Sequence, residues 1–233
     1  MIILAIDSSA VAASAAVTED GKLLSENFLN IGLNHSETLA VLADSAIKSA
    51  GKKIDDIDLI AVTQGPGSFT GIRIGVALVK GLAAAYDTPC FGLSATEVIA
   101  YPFKDSDCIV CACMDARCKQ VYTATFQGLD GKLNRLTEDE AISIDQLGEK
   151  LNQYDKKIIL AGDGAQIAYD ILKENPNITL ASPLMRFQRA SSGAFLAENY
   201  MLSTDETPKT AMFVNPVYLR KPQAERMKEQ KGN

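Results

Sequence analysis

A β-β-β-α-β-α order of elements, read twice along the 233 residues, predicts a mixed α/β protein of two similar halves with a cleft between them. Two further observations support the duplication. An aspartate closes the first strand of each half, Asp7 and Asp115, and a Gly-x-Gly follows the fourth strand of each, at Gly65 and Gly162. The halves share no sequence identity; the matched order of elements carries the expectation.

The run Ile2–Asp7 is apolar and β-branched and reads as a buried strand. A second strand spans Val11–Val17, and Thr18-Glu19-Asp20-Gly21 is a hairpin turn into a third over Lys22–Asn30. A helix follows from His35 to Ala50. Asn34 and Glu37 have capping-box spacing, Gly51 ends the helix, and Leu39, Leu42, Ala43, Ala46, Ile47 and Ala50 form one apolar stripe. Asp58–Thr63 is the fourth strand. A helix apolar nearly all round, Ile72–Tyr86, completes the first half.

In the second half, strands are expected at Cys108–Met114, Gln120–Phe126 and around Leu133, with Leu129–Lys132 as a turn. A helix over Ile144–Asn152 and a strand over Lys157–Ala161 follow, and Gly162-Asp163-Gly164 opens a helix over Ala165–Glu174. A last helix is expected at Arg189–Leu202, a polar stretch at Ser203–Lys209, and a charged end at Gln223–Gly232. The expected domains are 1–100, joined by the tail 205–233, and 101–204.

Between the fourth strand and its helix lies Gln64-Gly-Pro-Gly-Ser-Phe-Thr-Gly-Ile-Arg-Ile-Gly75, whose backbone can approach an anion or another backbone segment. It is not a P-loop: five residues separate Gly65 from Gly71, and Ile72 and Arg73 stand where Lys and Ser/Thr are required. Nor is Ser68 on a nucleophile elbow, because Pro66 and Thr70 replace its glycines. A tight strand-to-helix turn is the expectation.

The composition is 47% hydrophobic and 22% charged, that of an ordinary globular protein. No run approaches a membrane span and Asp7 interrupts the apolar N-terminus, so neither a signal peptide nor a membrane helix is expected, and a cytoplasmic location is. A net charge of −6 argues against the chain gripping a nucleic-acid backbone by itself. Five cysteines point to free thiols. Cys108, Cys111, Cys113 and Cys118 have tempting spacing for zinc, yet a strand over Cys108–Met114 turns Cys108 away from Cys111 and Cys113.

Taken together, several motifs resemble those of the bacterial TsaB (YeaZ) family of tRNA threonylcarbamoyladenosine biosynthesis proteins. They are Leu4–Ser9, Asn34-His-Ser-Glu37, Gly65–Gly75, Asp115-Ala-Arg117 with Val121-Tyr122, Gly162–Ala165 and Tyr218-Leu-Arg220. The resemblance covers nearly the whole chain and implies two actin-like (ASKHA, ribonuclease H-like) domains. It implies a non-catalytic dimerisation subunit that pairs with the catalytic paralogue TsaD, in a complex joined by the ATPase TsaE. Transfer RNA would be reached through the complex, and a homodimer is expected in isolation.

Family resemblance places the partner surface on the two first-half helices, at Leu39, Leu42, Ala43, Ala46, Gly71, Arg73, Gly75, Val76 and Val79. Gly75→Leu or Ala43→Arg is then expected to break partner binding and spare the fold. Asp7, Ser8, Ser9 and Gly67 stand where actin-like proteins hold phosphate and are the candidates for a residual, weak nucleotide contact, with ATP or ADP not required. The paralogue's metal-binding His-x-x-x-His pair is absent: His35 is the sole histidine and Leu39 stands four residues on. Alternatives are a stand-alone actin-like phosphotransferase, or a protease or regulator of the paralogue. No Ser-His-Asp or His-Glu-x-x-His spacing supports the protease.

Overall fold

The computed structural model describes residues 1–32, 34–203 and 207–220. Its first half contains β1 (Ile2–Asp7), β2 (Ala13–Glu19), β3 (Lys22–Leu29), α1 (His35–Ser49), β4 (Leu59–Gly65), α2 (Phe69–Tyr86), β5 (Cys90–Ser94) and α3 (Ala95–Ala100). The second contains β6 (Cys108–Asp115), β7 (Gln120–Leu129), β8 (Lys132–Arg135), β9 (Glu140–Ser143), α4 (Ile144–Leu151), β10 (Ile158–Ala161), α5 (Ala165–Leu172), β11 (Ile178–Leu180) and α6 (Ala190–Ser203). The expected order is present twice. Each half adds a further strand and helix, β5–α3 and β11–α6, and β9 is extra.

The sheets share one topology. The first has the order β3-β2-β1-β4-β5, with β1 antiparallel to β2 and parallel to β4. The second runs β11-β10-β6-β7-β8, with β6 antiparallel to β7 and parallel to β10, while β9 pairs with β7.

Strand alternation divides the core. Leu4 and Ile6 of β1 face α1 and α2, burying Leu39, Leu42, Ala43, Ala46, Ile72, Val76 and Val79. Ile3 and Ala5 face the other way, onto Ala190, Ala194 and Ala197 of α6. Likewise Ile109, Cys111 and Cys113 of β6 pack against α4 and α5, while Cys108, Val110 and Ala112 pack against Ala95, Ile99 and Ala100 of α3.

The helices therefore cross between halves. The helix expected within the unit 101–204 packs on the first sheet, and α3, inside the expected unit 1–100, lies between the sheets, with Val98 on the first and Ala95, Ile99 and Ala100 on the second. Segments of 100 residues do not each bury their own sheet. Residues 207–220 lie against the first sheet: Lys209 bridges Cys90 through two backbone bonds of 2.8 Å. The expected charged end at Gln223–Gly232, and residues 205–206 and 221–233 of the expected tail, lie outside the described residues.

Local signals explain most element ends. Asn34 caps α1 by accepting from the Ser36 N–H at 3.2 Å, and the Glu37 carboxylate accepts from the Asn34 side-chain amide at 3.5 Å and not from its backbone N–H, so the capping box is incomplete. Helix α2 starts three residues earlier than expected because the Ser68 hydroxyl accepts from the Gly71 N–H at 3.2 Å. This helix is also a correction: with 18 residues it is long and apolar enough, by length and composition alone, to cross a membrane. Its inner face packs on the sheet; the outer face is what carries the excess apolar surface.

Candidate functional site

The parallel strands β1, β4, β6 and β10 end at one edge of the two sheets, and a cleft of about 390 Å³ opens there. One wall is the β1–β2 loop with Ser9, Ala10 and Val11; below it lie Gly67, Ser68 and Phe69 of the glycine loop. The opposite wall is Met114–Arg117 at the end of β6, with Tyr122 and Asp163. Val217–Arg220 border the opening.

The glycine loop makes a backbone-to-backbone contact. The Ser68 N–H donates to the Ser9 carbonyl at 2.7 Å, and Gly67 at φ +150° lies so close that a Cβ would overlap that same carbonyl. Gly71 is fitted against the Ser8 carbonyl in the same way, while the Ser8 hydroxyl donates to the Gly71 carbonyl at 2.9 Å. The loop thus seats α2 on the β1–β2 turn. Ser68 is a helix cap and not a nucleophile.

Of the four nucleotide candidates, Ser9 and Gly67 line the cleft, and Asp7 and Ser8 do not. Asp7 is buried and its carboxylate is held by neighbours: Oδ1 accepts from the Ser9 N–H and hydroxyl, each at 3.0 Å, Oδ2 accepts from the Thr63 hydroxyl, and the Gln188 side chain bonds it too. Burial raises the Asp7 pKa, and the bonds from Thr63 and Ser9 partly offset it. This carboxylate is sealed inside the protein, not presented to a ligand. His35 Nε2 lies 2.8 Å from the Ala10 carbonyl and pins the β1–β2 loop to the start of α1. No cluster of three or more His, Cys, Asp or Glu suited to a metal ion occurs among the described residues.

Across the cleft, Arg117 pairs with Asp115 at 3.2 Å, and the Asp163 carboxylate accepts from the Asp115 N–H at 3.1 Å. Burial pushes the Asp163 pKa up to about 6, against the lowering effect of that bond. Cys111 and Cys113 share one face with sulfurs 3.5 Å apart, Cys108 lies on the other, and Cys118 is exposed. The hydrogen bond with Cys111, reinforced by burial, holds the Cys113 thiol well above its usual pKa.

The expected partner surface needs correction. Leu39, Leu42, Ala43, Ala46, Gly71, Gly75, Val76 and Val79 are all buried in the chain's own core, and only Arg73 is exposed. The stripe at helical period marks the inward face. The outward face was hidden by the overall apolarity of α2: Ala77, Gly81, Ala84 and Ala85 are exposed, with Leu78 and Leu82 half-buried beside them. Val41 of α1 and Tyr86 at the end of α2 are 64% and 52% exposed. A Cβ on Gly81 would meet nothing within 4 Å, so no internal contact requires a glycine there. The readable signal was the second small-residue series Ala77–Gly81–Ala84/Ala85, offset from Gly71–Gly75.

Comparisons with known proteins give consistent results. The family model described as TsaD, tRNA N6-adenosine threonylcarbamoyltransferase, matches residues 29–228. The tRNA threonylcarbamoyladenosine biosynthesis protein TsaB of Escherichia coli (strain K12) is 31% identical over 178 residues, 75% of this chain and 77% of that protein. A Pseudomonas aeruginosa crystal structure, described as similar to peptidase YeaZ, superposes with a TM-score of 0.79 at 25% identity, covering 94% of this chain and 99% of that one. Component A of the (R)-2-hydroxyglutaryl-CoA dehydratase of Acidaminococcus fermentans matches with a TM-score of 0.53 at 13% identity, covering 84% and 97%, a likeness of fold alone.

Proposed function

The chain belongs to the TsaB (YeaZ) family and has its actin-like fold, and on that premise we propose that it serves tRNA threonylcarbamoyladenosine biosynthesis as a non-catalytic subunit. In this reading it pairs with a TsaD-type transferase, its paralogue, in the cytoplasm. The observation that carries the reading is the outer face of α2. Ala77, Gly81 and Ala84 form an exposed small-residue series on α2 with Leu78 and Leu82 half-buried beside it, at which another helix can approach closely. A glycine in an exposed helix costs about 1 kcal/mol relative to alanine, so its use at Gly81 suits a close contact outside this chain.

The same face would form a homodimer when the chain is alone, and the TsaE ATPase and tRNA would engage the assembled complex. Asp7 is sealed by Ser9 and Thr63, which favours weak binding of ATP or ADP by the isolated chain. Calorimetry should detect no magnesium-dependent site of micromolar affinity; finding one would sink that part of the reading.

Light scattering coupled to size-exclusion chromatography tests the central claim. Mixed with the TsaD-family transferase of the same organism, the chain should elute in a one-to-one complex that modifies tRNA in a reconstituted reaction. Two separate peaks, with nucleotide and TsaE present, would overturn it.

A further inference from the structure

Arg73 and Asp87 stand at opposite ends of α2, both exposed. Arg73 recurs with Ala77, Gly81 and Ala84 at helical spacing, on the face turned away from the sheet. Its guanidinium is held in place. The Cζ lies 4.2 Å from the centre of the Phe69 ring, one turn back, and Nε donates to the Tyr218 hydroxyl at 3.0 Å. Phe69 and Tyr218 in turn stack with ring centroids 4.5 Å apart. Neither Nη group of Arg73 meets a carboxylate among the described residues. Asp87, at φ +58°, is the C-cap of the helix; its backbone N–H donates to the Ala83 carbonyl, and its carboxylate has no cation among the described residues.

The other charged side chains of α1 and α2 are engaged. Asp44 pairs with Lys48 at 2.7 Å, Glu37 accepts from the Asn34 amide at 3.5 Å, and Lys80 donates to Asn215 Oδ1 at 3.1 Å. Arg73 and Asp87 also sit at the wrong ends of the helix dipole. The guanidinium lies over the first turn, where free N–H groups make the backbone positive, and the carboxylate lies beside the last carbonyls. No acidic residue of the first turn and no basic residue of the last offsets them. A helix laid alongside in the opposite direction reverses both relations. Each charge then faces an opposite charge and the favourable end of its neighbour's dipole.

We propose that α2 packs antiparallel on α2 of a second copy of this chain, with Arg73 of each copy against Asp87 of the other. The pattern is self-complementary, as a two-fold axis demands: a cation at one end, an anion at the other and small residues between. With the axis at Gly81, Arg73 of one copy and Asp87 of the other are offset by about 3 Å along the helices, well within the reach of an arginine side chain. A crossing angle of about 20°, common for antiparallel helices, keeps their ends close enough to meet. The guanidinium fork matches a carboxylate, and Phe69 and Tyr218 reduce the ordering cost by fixing it beforehand. The pairing rests on the proposed reading of the outer face of α2 as an interface, and assigns that face its occupant and two polar contacts.

Sedimentation equilibrium of the full chain alone tests the pairing. The wild type should dimerise, and Arg73→Glu and Asp87→Lys should each raise the dimer dissociation constant at least about tenfold, because each sets two pairs of like charges face to face. Mixing the two variants one to one should restore near wild-type affinity, since both contacts of the mixed dimer again join opposite charges. A monomeric wild type, wild-type affinity in either variant, or a mixture no tighter than its components overturns the pairing. If circular dichroism shows either variant unfolded, Arg73→Gln and Asp87→Asn decide instead: a several-fold loss in each supports the pairing and unchanged affinity refutes it. Gly81→Leu separates the face from its charges. A dimer that this change breaks and the charge variants leave intact refutes the pairing and keeps the interface. The chain is measured alone, so failure here leaves the test with the transferase untouched.

Discussion

Replacing Gly75 and Gly81, six residues apart on α2, by leucine should produce opposite phenotypes. A Cβ at Gly75 would lie 2.6 Å from the Ser8 hydroxyl and 3.7 Å from Val62 Cγ2. Ser8 is buried and donates to the Gly71 carbonyl at 2.9 Å, so it can move only by giving up that bond. Overpacking of a close-packed site costs about 1–3 kcal/mol, and the broken buried hydrogen bond adds about 1 kcal/mol. Gly75→Leu should therefore lose roughly 2–4 kcal/mol of stability, seen as a lower urea midpoint at unchanged slope. The earlier expectation, that this variant would keep its fold and lose only its partner, does not survive the burial of Gly75.

Gly81→Leu meets open space on an exposed helix. Helix propensity alone should stabilise the monomer by about 0.7 kcal/mol, while the added side chain blocks close helix approach and weakens partner binding by about 2 kcal/mol or more, some thirtyfold. Urea unfolding at low protein concentration, with binding measured in parallel, reads both quantities. A Gly75→Leu protein of wild-type stability would refute the packing argument. A Gly81→Leu protein that binds its partner normally would refute the assignment of the outer face.

Other consequences are open to direct measurement. Because the folded-state pKa of Asp163 is raised to about 6 from 3.8, its protonated form favours the fold at low pH, and that contribution is lost as pH rises from about 4 through 6. Asp163→Asn should flatten that part of the stability–pH curve and raise stability at pH 7. Removing Arg135 takes the cation from Glu97 and Asp139, its partners at 3.4 and 3.0 Å, and leaves them only the hydroxyls of Tyr200, Ser94 and Thr96, so Arg135→Met should cost about 2 kcal/mol in denaturant unfolding. Cys118 is the exposed thiol among five cysteines, so mass spectrometry after brief alkylation should show one label on the native chain and five in denaturant.

Elements whose signal is local were readable in the sequence. The alternation of β6 correctly separated Cys108 from Cys111 and Cys113, because period-2 geometry needs no knowledge of neighbours. The aspartate and Gly-x-Gly markers located two copies of one topology. Strands β5 and β11 were missed: Cys90–Ser94 contains a glycine and Ile178–Leu180 has only three residues, and both gain order from parallel partners distant in sequence. The cleft was legible in part. Ser9 and Gly67 do line it, but the sealing of Asp7 depends on Thr63, 56 residues away, and no spacing rule reveals such a bond. Arg220 stood out as a motif, whereas its reach toward Tyr122 is a tertiary fact. For α2, one helical stripe was assigned to a partner that belongs to the core. An all-round apolar helix gives periodicity no means of telling its two faces apart.

The packing of α6 on the first sheet bears on how the chain is made. The first sheet has all five strands once Ser94 has been synthesised, yet the face formed by Ile3, Ala5 and Leu59 is completed only when α6, which starts at Ala190, joins Val98 and Tyr101 over it. At translation rates of about 5–20 residues per second, that surface stays open for roughly 5–20 s on the ribosome. An apolar sheet face exposed for so long is a natural client for a chaperone. It also means that a gene split after the first half would encode two fragments, the first without α6 and the second without α3, which should accumulate only when expressed together.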